Sequence, residues 1–457
     1  MRAALMAALI VACAPPPLDD PHFDLFLDTD APLARGGADD DPRHSVPIVD
    51  TARVELRDAA GHLACETCTR EFALDERVVA QGAFFTIRTL SAQTTLVHAI
   101  LFRAISVRAE VEGASIEVWA RLPAPPARGA RAATLMLPMS AFGRALGSQQ
   151  APIELADGPP VRPRVPWAPG ERRACKGRAP DGSACVEGGA FWMGSPNESA
   201  LQRLLPPRVV ALAPFFIDLT EVGVRAYRDG GGDPAGLVAS TGSTSGSSVA
   251  DFCTFTPEPS RYDDYPVNCI RFDAARAFCK LRSGDLLTEA QYEYVASAQV
   301  GLPFPWGHDR PRCGDAVLAR GPASERFGAT AGAFDTTCRP AGGGDAALEA
   351  IGFSLPIHRP SLGRDILRLR NGAVVQDLVG NLSEWTLDSW QPRGGSCWAD
   401  PKVAFDPLCT AGELHTVRGG SWLDTLAASE AWSRVGVAGD PGSTRIGVGF
   451  RCAYPDR

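Results

Sequence analysis

The sequence predicts a small all-β sandwich domain followed by a larger domain, and three observations lead to that prediction. The length of 457 residues is typical of two or three domains. Over residues 48–145, short segments alternate between apolar and polar residues and are separated by Gly and Pro, which indicates half-buried strands and, at this spacing, a β-sandwich. A proline-rich stretch over 146–172 predicts a semi-extended linker, so the second domain is expected to span 173–457.

The N-terminus predicts an export signal and a tether. Arg2 precedes an apolar run that is too short to cross a membrane, which takes roughly 20 apolar residues. The run ends in Ile10-Val11-Ala12-Cys13, which looks like a bacterial lipobox, so residues 1–13 are expected to be a lipoprotein signal peptide with Cys13 lipidated. The alternative is an ordinary signal peptide with an incidental cysteine. Residues 14–47, rich in Pro, Asp and Gly, predict a flexible tether.

Charge and cysteine content agree with an exported protein. The net charge is −8 with no sustained basic run, which excludes the electrostatic pattern of a nucleic-acid-binding protein. Thirteen cysteines are many for a reducing compartment, and removal of Cys13 leaves an even number for disulfides. We therefore expect a location in the cell envelope of a bacterium, lipid-anchored in the periplasm or on the outer-membrane surface. Proximity suggests the pairs Cys65–Cys68, Cys175–Cys185, Cys253–Cys269, Cys313–Cys338 and Cys397–Cys409.

One of these pairs has an alternative interpretation. His62, Cys65 and Cys68 are residue types that form the corner of a metal site. No fourth ligand stands at zinc-like spacing, and a Cys-x-x-Cys in an exported protein is more often a disulfide. The disulfide is therefore the favoured prediction.

Local signals in the second domain predict two helices and a loop. Asp273 is placed to cap one helix, and Thr288 with Gln291 three residues later forms a capping box that starts another. Residues 228–250 are rich in Gly and Ser and predict a mobile surface loop.

Residues 377–388 include the side chains with the clearest potential to bind a metal ion. Asp377 and Glu384 are carboxylates seven residues apart, and Gly380 between them allows a tight turn with carbonyl groups pointing inward. Hard oxygen ligands of this kind suit calcium. The alternative is a strand with two solvated acidic ends.

This stretch, together with Val417-Arg418-Gly419-Gly420-Ser421-Trp422 and Gly449-Phe450-Arg451-Cys452, resembles the formylglycine-generating enzyme family, also called the sulfatase-modifying-factor domain. The resemblance implies an α+β, C-type-lectin-like fold with little regular secondary structure for 173–457. Because several motifs match in order, a chance match is improbable. The other matching segments are 188–195, 214–218, 273–279, 287–294 and 304–307.

The resemblance also implies particular sites. It places structural calcium ligands at Asp377, Gly380, Leu382 and Glu384, with Leu382 contributing its carbonyl group. It joins Cys279 to Cys452. A second calcium site could begin near Asp315-Ala316, although no second half is evident.

The catalytic copper site of the family is missing. Formylglycine-generating enzymes bind copper through two cysteines, and only soft thiolates select Cu(I). The matching positions here are Asp424 and Ser429, and no cysteine occurs between Cys409 and Cys452. Ser421 matches the family, but it cannot carry out the oxidation alone. We therefore expect no bound copper. The resemblance also places two structural cysteines at positions that hold Ala296 and Arg434 here, so that pair is absent.

Three functions remain open from the sequence. The favoured one is a non-catalytic relative, a pseudoenzyme that serves as a calcium-stabilised binding module for a peptide, a glycan or a partner protein. The second is an enzyme of another chemistry in the same scaffold, for which Asp424, Ser429 and His415 supply the residue types of an acyl-transfer set. The third is formylglycine formation through a non-standard site.

Two surface features could serve a binding module. A groove lined by exposed aromatic residues has Trp398, Trp422 and Trp432 as candidates, although such residues are more often core. An insertion between Pro356 and Val375 departs from the family and predicts a hairpin that either binds a partner or is merely solvated. Its arginines are Arg359, Arg364, Arg368 and Arg370.

Overall fold

The chain divides into two compact units. The computed structural model describes residues 21–35, 46–82, 84–87, 94–104, 114–124, 126, 128–195, 207–320, 345–359, 363–392, 394–425, 429–439 and 445–457. The N-terminal unit contains the described residues within 1–36, 49–102 and 115–165, and the C-terminal unit contains mainly those from 166 to 457.

The N-terminal unit is built from two sheets. One has the strand order β4-β1-β7-β9 and the other the order β3-β2-β5-β6-β8. Most neighbours are antiparallel, but β1 runs parallel to β7 over its whole length, and β6 runs parallel to β8. The strands are β1 (His22–Asp28), β2 (Thr51–Asp58), β3 (Thr69–Ala73), β4 (Phe84–Ile87), β5 (Thr94–Phe102), β6 (Ile116–Arg121), β7 (Ala130–Met136), β8 (Ile153–Glu154) and β9 (Ala156–Asp157), with one short helix, α1 (Glu76–Ala80).

The period-two pattern that predicted these strands reflects burial. In β6, Ile116, Val118 and Ala120 are buried while the residues between them are partly exposed. Phe23, Leu25 and Leu27 of β1 alternate in the same way. Each sheet therefore contributes one apolar face to the core, as expected for an all-β domain.

The tether and linker predictions are wrong for part of their length. The expected tether 14–47 contains β1, a strand with a buried face, because its Phe and Leu residues alternate with polar ones among the Pro and Asp that determined the composition. The expected linker 146–172 contains β8 and β9 and returns to β1. Arg164 donates hydrogen bonds to the carbonyl oxygens of Thr29 (2.8 Å) and Ala31 (3.0 Å). The N-terminal unit is therefore larger than the 48–145 expected from the sequence.

The C-terminal unit is an irregular α+β structure of small sheets and short helices. Its sheets have the orders β10-β13-β22-β14, β11-β12-β18, β15-β16 and β20-β19-β17-β21. The helices are α2 (Val224–Asp229), α3 (Phe272–Leu281), α4 (Glu289–Ala296) and α5 (Ala346–Ile351). The strands are β10 (Ser183–Val186), β11 (Gly189–Met193), β12 (Arg208–Leu212), β13 (Phe215–Asp218), β14 (Asp285–Leu286), β15 (Ile366–Arg368), β16 (Val374–Gln376), β17 (Ser383–Ser389), β18 (Ala404–Phe405), β19 (Leu414–Arg418), β20 (Arg434–Ala438), β21 (Val448–Gly449) and β22 (Cys452–Pro455).

The two predicted helix caps have different outcomes. The capping box of α4 is confirmed: the Gln291 N–H donates to Thr288 Oγ1 at 3.1 Å, and the Thr288 N–H donates to Gln291 Oε1 at 2.9 Å. The predicted cap on α3 is wrong, because the helix begins at Phe272 with Arg271 at its N-cap, two residues earlier than a cap at Asp273 would give. Asp273 lies in the first turn instead and pairs with Arg271 at 2.9 Å.

The glycine- and serine-rich segment is organised around one buried carboxylate. Asp251 accepts hydrogen bonds from the hydroxyl groups of Thr241 (2.7 Å), Ser245 (2.8 Å) and Ser248 (2.7 Å). These hydrogen bonds lower the pKa of Asp251. Composition predicted a mobile loop here because it does not reveal that a single Asp collects the surrounding hydroxyl groups.

Five of the predicted disulfides are present. They are Cys65–Cys68, Cys175–Cys185, Cys253–Cys269, Cys397–Cys409 and Cys279–Cys452, the last of which ties α3 to the final strand β22. Cys338, the expected partner of Cys313, lies outside the described residues, as does Cys13. His62 does not complete a metal corner with the bonded Cys65 and Cys68; it is exposed and lies 3.5 Å from Asp58.

Candidate functional site

The segment predicted to bind calcium is a tight turn between β16 and β17. Asp377 and Asn381 both have positive φ, at 56° and 70°. Gly380 lies so close to a neighbouring chain segment that a Cβ there would be 2.8 Å from the Val317 amide nitrogen, so only glycine fits. The turn therefore needs the glycine for packing.

Both carboxylates of this turn are paired with arginine. Arg359 donates from Nη1 to Oδ2 of Asp377 at 2.9 Å and from Nη2 to Oδ1. Arg451 donates from Nε to the two oxygens of Glu384, at 2.8 and 2.9 Å, and from Nη2 to Oε1 at 2.7 Å. All four side chains are almost fully buried. Each carboxylate thus has a guanidinium across both of its oxygens.

Two further carboxylates lie beside this pair. Glu221 accepts the Leu382 N–H at 2.8 Å and the Asn381 side-chain N–H at 2.6 Å. Asp365 accepts the N–H groups of Leu378 (3.0 Å) and Val379 (3.1 Å). We refer to Glu221, Asp365, Asp377 and Glu384 as the carboxylate cluster.

The cluster shifts the proton affinity of its members. Burial raises the pKa of Glu221, and the nearby charges of Asp377 and Glu384 raise it further. Burial also raises the pKa of Asp365 to about 7. Burial raises the pKa of Glu384 as well, against the opposing effect of Arg451.

The two carboxylates predicted to bind calcium, Asp377 and Glu384, are engaged by guanidinium groups in this arrangement. Calcium needs six to eight free oxygen ligands, whereas the carboxylates of Asp377 and Glu384 accept from guanidinium groups. The Asp377 carbonyl oxygen also accepts from Arg451, at 2.7 Å. In the part of the chain that the structure describes, no group of three or more His, Cys, Asp or Glu residues is placed to hold a metal ion.

The suggested second calcium site is engaged in hydrogen bonds too. Asp315 Oδ2 accepts the Arg312 N–H at 2.9 Å, and the Asp315 carbonyl oxygen accepts the N–H groups of Arg364 (2.7 Å) and Asp365 (3.0 Å). These bonds fix a turn at Asp315.

The positions of the missing copper cysteines hold a compact polar arrangement. Asp424 Oδ2 accepts both the hydroxyl group of Ser421, at 2.7 Å, and its N–H, at 2.8 Å. The Asp424 N–H donates back to the Ser421 carbonyl oxygen at 2.9 Å. Ser429 is fully buried. Oxygen atoms therefore stand at the positions where the resemblance implies thiolates, and Asp424 is hydrogen-bonded to Ser421 of the Arg-Gly-Gly-Ser motif.

In the structure, His415 does not complete an acyl-transfer set with Asp424 and Ser429. The imidazole of His415 stacks on Phe272, with ring centroids 3.4 Å apart, and meets Trp385 edge-on at 6.4 Å. Burial lowers its pKa. The half-buried His415 therefore packs against the start of α3.

The predicted aromatic groove is also wrong. Trp398, Trp422 and Trp432 are 3%, 0% and 7% exposed. Trp422 stacks between Phe252 and Phe353, with ring centroids at 5.9 and 6.0 Å. These large apolar side chains are core residues, which is their commoner role.

Sequence reasoning missed a second buried ionic network beneath the Arg-Gly-Gly-Ser motif. Glu289 and Glu293 lie four residues apart on α4 and face Arg434 and Arg418. Arg434 Nη2 donates to Glu289 Oε2 at 2.9 Å, and Arg418 donates to Glu293. The i, i+4 spacing of two acidic residues in an otherwise apolar helix was the available signal.

A sulfatase-modifying factor enzyme 1-like domain model matches residues 171–455, close to the 173–457 expected from the motifs. The chain belongs to this family. The N-terminal unit lies before the matched residues.

Two curated relatives are described as inactive enzymes. This chain is 25% identical over 195 residues to the inactive C-alpha-formylglycine-generating enzyme 2 of Mus musculus, which covers 42% of this chain and 49% of the mouse protein. The Bos taurus protein of the same name is 26% identical over 195 residues, covering 42% and 50%. The chain thus spans about half the length of the curated relatives it matches.

Solved structures of the same general kind were also found. PvdO from Pseudomonas aeruginosa is 21% identical, with a TM-score of 0.38 covering 59% of this chain and 93% of PvdO. CarF is 17% identical, with a TM-score of 0.36 covering 60% and 98%. Both scores are below 0.5, and no conclusion about this chain rests on them.

Across the described residues, no helix has both the length and the apolar character required to cross a membrane.

Proposed function

We propose that this protein is a non-catalytic member of the sulfatase-modifying-factor family that acts as a binding module. The observation that carries the proposal is the oxygen chemistry at the copper positions: Asp424 is hydrogen-bonded to Ser421, and Ser429 is buried. Carboxylate and hydroxyl oxygens do not replace the thiolates that select Cu(I). The relatives described as inactive support the same conclusion.

The ligand class is a peptide, a glycan or a partner protein, and the fold is retained to present a surface. A scaffold persists readily after its catalytic site is lost, so the preserved core is compatible with a binding role. The Ser421–Asp424 hydrogen bonds satisfy the polar groups at this position without copper.

The first experiment measures copper content and cysteine oxidation together. Purified mature protein is incubated with Cu(I) and a cysteine-containing sulfatase-type peptide, and copper stoichiometry and peptide mass are recorded. We expect no stoichiometric copper and an unchanged peptide. Conversion of the cysteine to an aldehyde would contradict the proposal.

A matched variant tests the stated reason for inactivity. The double substitution Asp424→Cys and Ser429→Cys restores the thiolate types at both positions, and we expect it to take up Cu(I) more strongly than the wild type. The two single variants are controls, because one thiolate is not a pair.

Peptide binding by the wild type, measured by fluorescence anisotropy, and glycan-array binding then identify the ligand class.

We also propose that the protein is exported and lipid-anchored through Cys13, on the strength of the Ile10-Val11-Ala12-Cys13 motif. A Cys13→Ser variant is expected to lose fatty-acid labelling and to leave the membrane fraction. Unchanged labelling in this variant would contradict the anchor.

A further inference from the structure

The carboxylate cluster contains its own cations. Arg359 is in the insertion that departs from the family, and its side chain is 2% exposed. Besides the two bonds to Asp377, its Nη1 donates to the Pro356 carbonyl oxygen at 3.0 Å. The insertion therefore places the guanidinium group of Arg359 against the turn, so not all of its arginines are exposed to solvent.

The second guanidinium binds both the side chains and the backbone of the turn. Arg451 Nη2 donates to the carbonyl oxygens of Gln376 (2.9 Å) and Asp377 (2.7 Å) in addition to Glu384. Calcium sites in proteins likewise combine carboxylate and carbonyl oxygens around one cation. Here the contacts are made by Arg451.

The charges agree with this interpretation. Arg451 belongs to the Gly-Phe-Arg-Cys motif of the family, so Arg359 is the cation that the insertion adds beside Asp377. Buried carboxylates need compensation by paired cations or hydrogen bonds, since an isolated buried charge is very costly. Asp377 and Glu384 obtain it from arginine, and Glu221 and Asp365 obtain it from N–H groups.

We propose that Arg359, acting with Arg451, takes the place of calcium in this turn, so that residues 377–384 fold and stay folded without the ion. The inference is independent of the proposed binding function. It assigns a structural role to the insertion, which supplies the cation that the turn of this chain uses.

The experiment follows thermal unfolding of the full mature chain in excess EDTA and in Ca²⁺. Calcium at 100 times its dissociation constant would raise the unfolding midpoint of a calcium-binding protein by several degrees. We expect the wild-type midpoint to be the same in both conditions. A midpoint that falls in EDTA and is restored by Ca²⁺, with stoichiometric calcium binding that Asp377→Asn abolishes, would overturn the proposal.

Variants within the insertion separate Arg359 from its neighbours. Arg359→Met leaves the Asp377 carboxylate buried without its cation, so we expect the midpoint to fall by roughly 5–15 °C and then to rise when Ca²⁺ is added. Arg364→Met is the matched control, because Arg364 is 38% exposed and pairs with the surface residue Asp309. An equal, small effect of both variants would contradict the proposal.

A conservative variant covers the case in which Arg359→Met does not fold. Arg359→Lys keeps the positive charge, so we expect a folded protein whose midpoint is insensitive to calcium. A calcium-dependent Arg359→Lys protein would argue against replacement of the ion by charge.

Discussion

At position 434, an arginine stands where the resemblance placed a structural cysteine. Arg434 is 1% exposed and donates to both oxygens of Glu289, and its Nη1 donates to the Gln391 carbonyl oxygen at 2.6 Å. A buried ion pair thus joins β20 to α4 at a position where the resemblance implies a structural cysteine.

Removing one partner of this pair should be more harmful than removing both. We expect Arg434→Met to lower the free energy of unfolding by about 3–5 kcal/mol, because Glu289 loses its closest cation inside the core. The double variant Arg434→Met, Glu289→Leu replaces the pair by apolar groups and should be less destabilised. Urea unfolding measures the free energy of unfolding of both variants. A double variant that is less stable than the single one would contradict this account.

Asp388 makes the stability of the C-terminal unit depend on pH. Burial, followed by the charge of Glu289, raises the pKa of Asp388 to about 7, although its carboxylate accepts the N–H groups of Glu289 (2.6 Å) and Cys409 (2.8 Å). Between an unfolded value near 4 and the folded value near 7, the folded protein keeps a proton that the unfolded chain releases.

Raising the pH should therefore weaken the fold through this residue. From pH 5 to pH 8 we expect Asp388 to account for a loss of about 2–3 kcal/mol in the free energy of unfolding, complete just above pH 7. An Asp388→Asn variant is expected to be less stable at pH 5 but to have a shallower pH slope. An unchanged slope would show that other groups are responsible.

At the scale of elements, one histidine joins three strands of the N-terminal unit. His98 on β5 lies 2.9 Å from Glu55 on β2 through Nδ1 and 2.9 Å from Glu117 on β6 through Nε2, and its ring stacks on Trp119 at 3.9 Å. The hydrogen bond from His98 lowers the pKa of Glu117.

Replacing this histidine should loosen the sheet locally. In His98→Leu, two partly buried carboxylates lose a shared donor, and we expect a loss of about 1–3 kcal/mol. Hydrogen exchange of the β2, β5 and β6 amides should become faster, while amides of the C-terminal unit stay unchanged. Adding Glu117→Gln should recover part of the protection, and a failure to do so would assign the effect to packing on Trp119.

At the scale of the whole molecule, the disulfides differ in the chain length that they close. Cys279–Cys452 spans 173 residues, whereas Cys65–Cys68 spans three. Chain entropy assigns about 5 kcal/mol to the first and about 2 kcal/mol to the second. We therefore expect a Cys279→Ala, Cys452→Ala variant to unfold at much lower urea concentration than a Cys65→Ala, Cys68→Ala variant. Equal midpoints would show that loop length is not decisive.

The features that were predictable from the sequence are those with a local or motif signature. Thr288 and Gln291 predicted the start of a helix. The order of the motifs predicted the family of the C-terminal unit, and the family resemblance predicted the Cys279–Cys452 disulfide. The pairing of Arg359 with Asp377 was not predictable, because nothing near either residue indicates that they meet. For the same reason, alternation within residues 22–28 was hidden by the surrounding Pro and Asp, and tryptophan burial depended on packing that motifs do not describe.

The position of β1 limits how far the protein can extend from a bilayer. Its first residue, His22, is only nine residues after Cys13. Nine fully extended residues span at most about 30 Å. On the proposal that Cys13 carries the lipid, the first residue of β1 would lie no more than about 30 Å from the lipidated residue, so the N-terminal unit would be held near the membrane surface.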